Sequence, residues 1–324
     1  MGKIREEREE ALTPFVISKP EEEATETLQD RMQREGYLFL RGLISVPQIR
    51  QTRTEILAAC AAKGWLELGS EMQEGIAASG VAHTEPETDY MKVYDRVLHG
   101  EAFNTLAHDP ALLSVLQRLF DEEPLPHARN IARIIFPQNT LHTTPAHQDY
   151  LHIQGTEETY TAWIPLGDCP RKLGSLIVMP GSHRAGVYPV QRAYGAGGAG
   201  IDTEALPHFW AGSDFQEGDV VLFHSLTVHK ALPNLSPDCL RLSVDFRYQP
   251  VSHPVAASSL RPHYDRQTWE EIYKDWDSTR YQFYWQNLPI RYSGDDPRVV
   301  AARQAAFAEP QTLATKAKIK ETIA

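Results

Sequence analysis

The residues best suited to chemistry lie between His147 and Arg241. The chain reads His147-Gln148-Asp149, then strand-and-turn sequence, then Gly218-Asp219-Val220-Val221-Leu222-Phe223-His224, and on to His229 and Arg241. Two histidines and one carboxylate form the donor set of a non-haem iron centre that leaves metal positions open for co-substrate and oxygen. Side chains on a strand alternate faces, so on a strand His147 and Asp149 would point the same way. The third ligand must then come from a neighbouring strand.

The short motif is weak by itself in a chain with 13 histidines. A second copy, His263-Tyr264-Asp265, has no histidine after it to complete a triad in the same order. The first copy has His183, His208, His224, His229 and His253 downstream. His224 and His229 would face opposite sides of a single strand, so only one is expected to reach the metal; His229 is favoured. Arg241 opens the run Arg241-Leu242-Ser243-Val244-Asp245-Phe246-Arg247, which alternates polar and apolar residues. The polar face of such a strand normally meets solvent. In a barrel with a charged pocket it turns inward and offers Arg241 to a carboxylate, which the planar guanidinium fork grips through two parallel bonds.

These pieces resemble the phytanoyl-CoA dioxygenase (PhyH) family of iron(II)/2-oxoglutarate oxygenases. The resemblance also rests on Trp163-Ile164-Pro165-Leu166-Gly167-Asp168, on Gly174-Ser175-Leu176 through Met179-Pro180-Gly181-Ser182-His183-Arg184, and on an opening strand at Gly36–Ile44. It covers roughly residues 30–250 and implies a double-stranded β-helix, a jelly-roll or cupin-like barrel. It further implies iron held by His147, Asp149 and His229, and 2-oxoglutarate chelating that iron with its far carboxylate on Arg241. Trp163 would wall the 2-oxoglutarate site, or serve only as a core tryptophan. Thr144 and Tyr150 flank the first two ligands. Family members often carry a small hydroxyl residue two positions after the second histidine; here it is Ala231. Ser243 or Thr161 is the candidate replacement.

The reaction so implied consumes oxygen, splits 2-oxoglutarate to succinate and carbon dioxide, and oxidises a C–H bond of a small organic molecule, most simply by hydroxylation. Desaturation, ring closure and epimerisation share the opening steps. Asp149 occupies the position that related halogenases leave to a small residue, so halogenation is not expected. Two other classes compete: a divalent-metal hydrolase or lyase on the same ligands, and a non-catalytic metal-binding barrel. Arg241 argues against the first, which needs no carboxylate clamp.

Composition fits such an enzyme. The 324 residues are 42% hydrophobic and 23% charged, with a net charge of −11, which disfavours broad nucleic-acid binding. Cys60, Cys169 and Cys239 show neither metal spacing nor a disulfide framework. The charged N-terminus carries no secretion signal and no apolar run spans a membrane, so a cytoplasmic enzyme with an untied N-terminal tail is expected.

The elements that must position these residues read as α+β, in one domain over 1–324. Helices are expected at 21–35 and 46–63, a strand at 37–44, and a further helix at 103–120. Short strands and turns over about 129–250 form the core barrel, with helical elaborations over 21–120 and 265–320. The terminal helices are expected at Trp269–Trp285 and again after Asp296. The glycine-rich segment Gly195–Gly200 reads as a linker or a lid beside the pocket. His152 reads as structural, with a place beside the ligands or facing substrate as the alternative, and His183 as fixing its turn. Lys92 and Arg133 read as surface cations, with a contact to an acidic co-substrate or substrate as the alternative. The aromatic group Trp269, Tyr273, Trp276, Tyr281, Phe283, Tyr284, Trp285 and Tyr292 reads as packing of terminal helices, with a homodimer contact or a substrate wall as alternatives.

Overall fold

A strand buried on both faces must find a different partner for each, and the central strands here do so by strict alternation. The computed structural model describes residues 12–140, 143–193, 198–203, 206 and 209–308. The N-terminal tail, residues 195–197 of the glycine-rich segment, His208 and the residues after 308 lie outside the described residues. In chain order the principal strands are β1 (Leu12–Thr13), β2 (Ile17–Ser18), β3 (Tyr37–Leu40), β4 (Pro124–Pro126), β5 (Ile131–Ile135) and β6 (Tyr160–Pro165). They continue with β7 (Leu176–Val178), β8 (Trp210–Ala211), β9 (Val220–His224), β10 (His229–Ala231) and β11 (Arg241–Pro250).

A seven-stranded sheet runs β2-β3-β9-β6-β11, and the long β11 pairs first with β5 and then with β4. A four-stranded sheet runs β1-β8-β7-β10. Most pairings are antiparallel; β1–β8 and β2–β3 are parallel. Leu38, Leu40, Ala162, Ile164, Val220, Leu222, Val244 and Phe246 all join one core. The opposite parity (Tyr37, Phe39, Trp163, Val221, Phe223) joins Leu176 and Val178 of the smaller sheet in a second core. The first core packs against helices α1 (Thr25–Glu35), α2 (Val46–Ala61), α3 (Thr88–Val97), α4 (Glu101–Thr105) and α5 (Pro110–Phe120). Each fully buried large apolar side chain in these layers contributes roughly 1.5–3 kcal/mol.

Gly36 ends α1 in the left-handed region at φ 76°, with its N–H on Met32 O at 2.8 Å. A Cβ there would run into His183 and Thr227, so the helix can turn into β3 at this point only through glycine.

Two expected helices are corrected. The segment 103–120 is not continuous, because Asp109-Pro110 divides it. Asp109 Oδ1 accepts from the N–H groups of Ala111 and Leu112, and Pro110 begins α5, where a missing N–H costs nothing. Trp269–Trp285 is helical only over Trp269–Ile272 and in a 3-10 turn from Tyr284. Tertiary hydrogen bonds override the helix there: Trp269 Nε1 donates to Leu260 O, Trp276 Nε1 to His99 O and Tyr284 Oη to Pro126 O. Most of these aromatic residues therefore serve this chain's own core. No helix among the described residues is long and apolar enough to cross a membrane.

Two buried histidines tie the layers together. His108 stacks on Tyr281 at 4.1 Å, and His127 Nε2 meets Gln249 Oε1 at 2.9 Å. Burial pushes both pKa values down to about 4. The unfolded chain, with histidine near 6.5, then binds more protons than the native state below that pH. Unfolding free energy should fall as pH drops from about 6.5 towards 4. Urea melts across this range should show that slope, and His108→Phe should reduce it.

Candidate active site

The site begins with one backbone pair. The N–H of His147 donates to His229 O and that of His229 to His147 O, both at 3.0 Å. This bridge extends the smaller sheet beyond β10 and places the imidazoles side by side, ring centroids 4.2 Å apart. After His147 the chain leaves the sheet. Asp149 has helical dihedrals (φ −62°, ψ −32°) and opens a single turn, α6 (Tyr150–Ile153). The expectation that His147 and Asp149 converge as alternate residues of a strand is therefore corrected: the turn into α6 swings Asp149 back. Gln148, between them, anchors that turn. Its Nε2 donates to Gly186 O and Leu226 O, and its Oε1 accepts from Tyr188 N.

Among the described residues, donor atoms of His147, Asp149 and His229 lie within 4.8 Å of one another, all buried. Asp149 Oδ1 is 3.5 Å from His147 Nε2 and 3.8 Å from His229 Nε2. Each imidazole is held from behind: His147 Nδ1 donates to Pro145 O at 2.8 Å and His229 Nδ1 to Thr227 O at 2.9 Å. That choice of tautomer leaves both Nε2 lone pairs facing Asp149. Asp149 Oδ2 accepts from Thr161 Oγ1 at 2.6 Å, and both its oxygens lie 3.3 Å from Arg247 Nη2. Burial alone would raise its pKa; Arg247 and the two histidines outweigh burial and hold the carboxyl well below its usual range. Burial, with His147 beside it, pushes His229 down to about 3. Two imidazole nitrogens and one anionic oxygen converge on one point: a divalent metal fits.

Arg241 lies behind this point on β11, only 2% exposed. Its Nη1 donates to Ser243 Oγ at 2.6 Å, its Nε is buried without a partner, and its guanidinium carbon stands 6.0 Å from the Trp163 ring centre. A buried cation with an unused donor is a socket for an anion. Arg241, Trp163, Thr161, Leu176, Phe223 and His229 line a narrow inner cleft between the sheets. The cleft shares Arg133, Thr144, His147, Asp149 and Arg247 with a wider outer cavity of about 600 Å³.

The other sequence candidates fall as follows. Thr144 lines both chambers. Ser243 is fully buried and acts on Arg241 rather than lining the cleft. Thr161 is committed to Asp149. His224 shares parity with Val220 and Leu222, away from the cleft; it ends β9, and a turn separates it from β10. It stands 3.8 Å from Glu158. Tyr150 donates to Asp296 Oδ2. His152, its ring 6.0 Å from that of His147, lines the outer cavity. His183 donates to Gln33 O, a structural role.

Lys92 is a surface cation paired with Asp89. Arg133 is not: it is half-buried between Glu85 (2.9 Å) and Asp245 (3.2 Å) in the cavity wall. Sequence reasoning missed Arg247, although it continues the alternation that marks Arg241. It also set aside His263-Tyr264-Asp265, yet His263 and Tyr264 form part of the outer wall.

Comparison with known proteins agrees with this geometry. The family model "Phytanoyl-CoA dioxygenase (PhyH)" matches residues 32–243. The 1-deoxypentalenic acid 11-beta-hydroxylase of Streptomyces arenae is 28% identical over 74% of this chain and 84% of its own length. The enzyme of that name from Streptomyces exfoliatus is 27% identical over 82% and 93%. The epimerase SnoN, solved with Fe3+, alpha ketoglutarate and nogalamycin RO, superposes with a TM-score of 0.51 at 20% identity, covering 71% of this chain and 85% of that one. Its likeness is one of fold. With the family model spanning most of the chain, the protein belongs to the phytanoyl-CoA dioxygenase (PhyH) family of iron(II)/2-oxoglutarate-dependent oxygenases.

Proposed function

We propose that this protein is a dioxygenase that hydroxylates an aliphatic C–H bond of a small organic molecule, using iron on His147, Asp149 and His229 and 2-oxoglutarate on Arg241. The observation that carries the reading is the pairing of a buried three-ligand cluster with a buried arginine whose Nε lacks a partner, across one narrow cleft. A hydrolase on the same ligands would have no use for that cation.

Iron with 2-oxoglutarate and oxygen supplies the oxidant and releases succinate and carbon dioxide. The chain's own residues set the conditions. The carbonyl partners of His147 and His229 hold each Nδ1–H and turn Nε2 towards Asp149, and burial pushes His229 down to about 3. Thr161 and Arg247 fix the Asp149 carboxylate and keep it ionised. Arg241 offers its fork to a second carboxylate, with Ser243 orienting it and Trp163 walling the cleft from water. Thr144, at the junction of the chambers, is placed to touch either ligand. The outer cavity, of a size usual for small-molecule sites, takes the substrate.

The two sheets are read as the halves of a double-stranded β-helix, a reading supported by the SnoN likeness. The whole chain is read as one domain, since β1 to β4, ahead of residue 129, complete its sheets. Three free cysteines support a cytoplasmic setting.

Anaerobic iron(II) with 2-oxoglutarate should give the weak visible charge-transfer band of the chelate. Arg241→Ala should raise the 2-oxoglutarate concentration needed by about 10–100-fold, the worth of a charged hydrogen bond. An unchanged titration would remove Arg241 from the site. Thr161→Val should weaken metal binding by roughly 10-fold through the loss of an outer-shell contact, read by chelator competition. His147→Ala should abolish both the band and substrate-dependent succinate release, whereas a scaffold protein would keep its partner function.

A further inference from the structure

The outer cavity holds more positive charge than its own acids neutralise. Arg133 is matched by Glu85 and Asp245, and Arg247 by Asp149. Arg303 also lines the cavity but is exposed; in the part-buried wall, Arg129 is not matched. It sits between β4 and β5, where β11 passes its pairing from one to the other, and its backbone N–H is fixed on Ser259 O at 3.0 Å. Its side chain makes no hydrogen bond or ion pair among the described residues, and its Nε is buried without a partner. Burial, then repulsion from Arg247 and Arg261, lowers its pKa to about 10, so it stays charged at neutral pH. The acid beside it, Asp265, is engaged by Arg261. His127, next along the wall, is buried and stays neutral. A partly buried guanidinium with no counter-ion costs folding free energy unless a ligand supplies the anion.

We infer that the substrate carries a carboxylate, and that the carboxylate seats on Arg129 in the wall of the outer cavity. The planar fork suits two coplanar oxygens better than a neutral amide or ester. Arg129 belongs to the outer cavity and Arg241 to the inner cleft, while His147 and Asp149 line both. The two anions therefore approach the metal from different chambers. Docking on Arg129 fixes one end of the substrate and so selects which carbon faces the metal. The position of the metal rests on the oxygenase reading; the anion preference of Arg129 does not.

The test uses full-length protein loaded with zinc(II) and N-oxalylglycine, a non-decarboxylating stand-in that occupies the 2-oxoglutarate site. Cyclohexanecarboxylate and cyclohexanecarboxamide are then titrated by calorimetry. The acid should bind at least about 10-fold more tightly than the amide, the margin of a charge-assisted pair over a neutral one. Arg129→Gln should erase that preference and Arg129→Lys restore part of it, while N-oxalylglycine affinity stays as in wild type, which also reports that both variants fold. Equal binding of acid and amide, no acid binding in the millimolar range, or a preference that survives Arg129→Gln would overturn the inference. Inorganic phosphate binding more tightly than the acid, and lost in Arg129→Gln, would overturn it in favour of a phosphorylated substrate. Failure of N-oxalylglycine to bind wild type would count against the oxygenase reading instead, and the acid–amide comparison would still be made on the zinc-loaded protein.

Discussion

Everything in the centre depends on keeping one carboxylate charged where almost no water reaches it. Asp149 is 2% exposed, and an isolated carboxylate in such a place would take up a proton. It stays ionised because three separate parts of the chain converge on it. β6 brings Thr161, β11 brings Arg247, and the His147–His229 bridge brings two imidazoles. Thr161 and Arg247 face each other across the β6–β11 pairing, and the imidazoles come from a separate bridge in the smaller sheet. A slip of one residue in β11 would replace Arg247 with Phe246 or Tyr248 and leave the charge unmatched. The register of the larger sheet and the ionisation of the metal site are therefore one constraint.

The same constraint explains why β11 is buried along its whole length yet half polar. Leu242, Val244, Phe246 and Tyr248 pack into the helix-side core, and Arg241, Ser243, Asp245, Arg247 and Gln249 occupy the opposite parity. Such a polar row survives burial only if its members satisfy one another. They largely do: Ser243 serves Arg241, Asp245 serves Arg133, Arg247 serves Asp149 and Gln249 serves His127. The exceptions are informative because the rest of the row is so well matched.

Much of the centre is legible in the sequence, though partly for a different physical reason. The order His147, Asp149, His229, Arg241 identifies the residues that the fold gathers. Strand alternation accounts for Arg241 but not for Asp149, which reaches the two histidines through a helical turn pinned by Gln148. That turn depends on carbonyls of Gly186 and Leu226, far along the chain, and no local pattern reports it. The helix break at Asp109-Pro110 is a local signal, since a capping aspartate before proline starts a helix. The loss of helix after Ile272 is not: its indole and phenol donors are captured by distant carbonyls. Arg133 reads as an ordinary surface charge only because its partners Glu85 and Asp245 are remote in sequence. Arg247 was within reach, six residues along the alternation that exposes Arg241.

What the two unmatched arginines have in common is more telling than either alone. Among the described residues the other guanidinium groups that are at least partly buried are answered closely, by carboxylates at Arg31, Arg133 and Arg247 and by three carbonyls at Arg53. Arg241 and Arg129 each leave a buried Nε without a partner, and each faces a chamber that meets at His147 and Asp149. A chain of net charge −11 has no shortage of acids with which to neutralise them. Leaving both open lowers the stability of the empty protein and raises its affinity for anions arriving from outside, the usual exchange at a preorganised site. On the proposed reading, one socket in the inner cleft and one in the outer cavity would hold two ligands apart with the metal between them. That separation matters in an oxygenase, because co-substrate and substrate must both lie close to the metal without exchanging places.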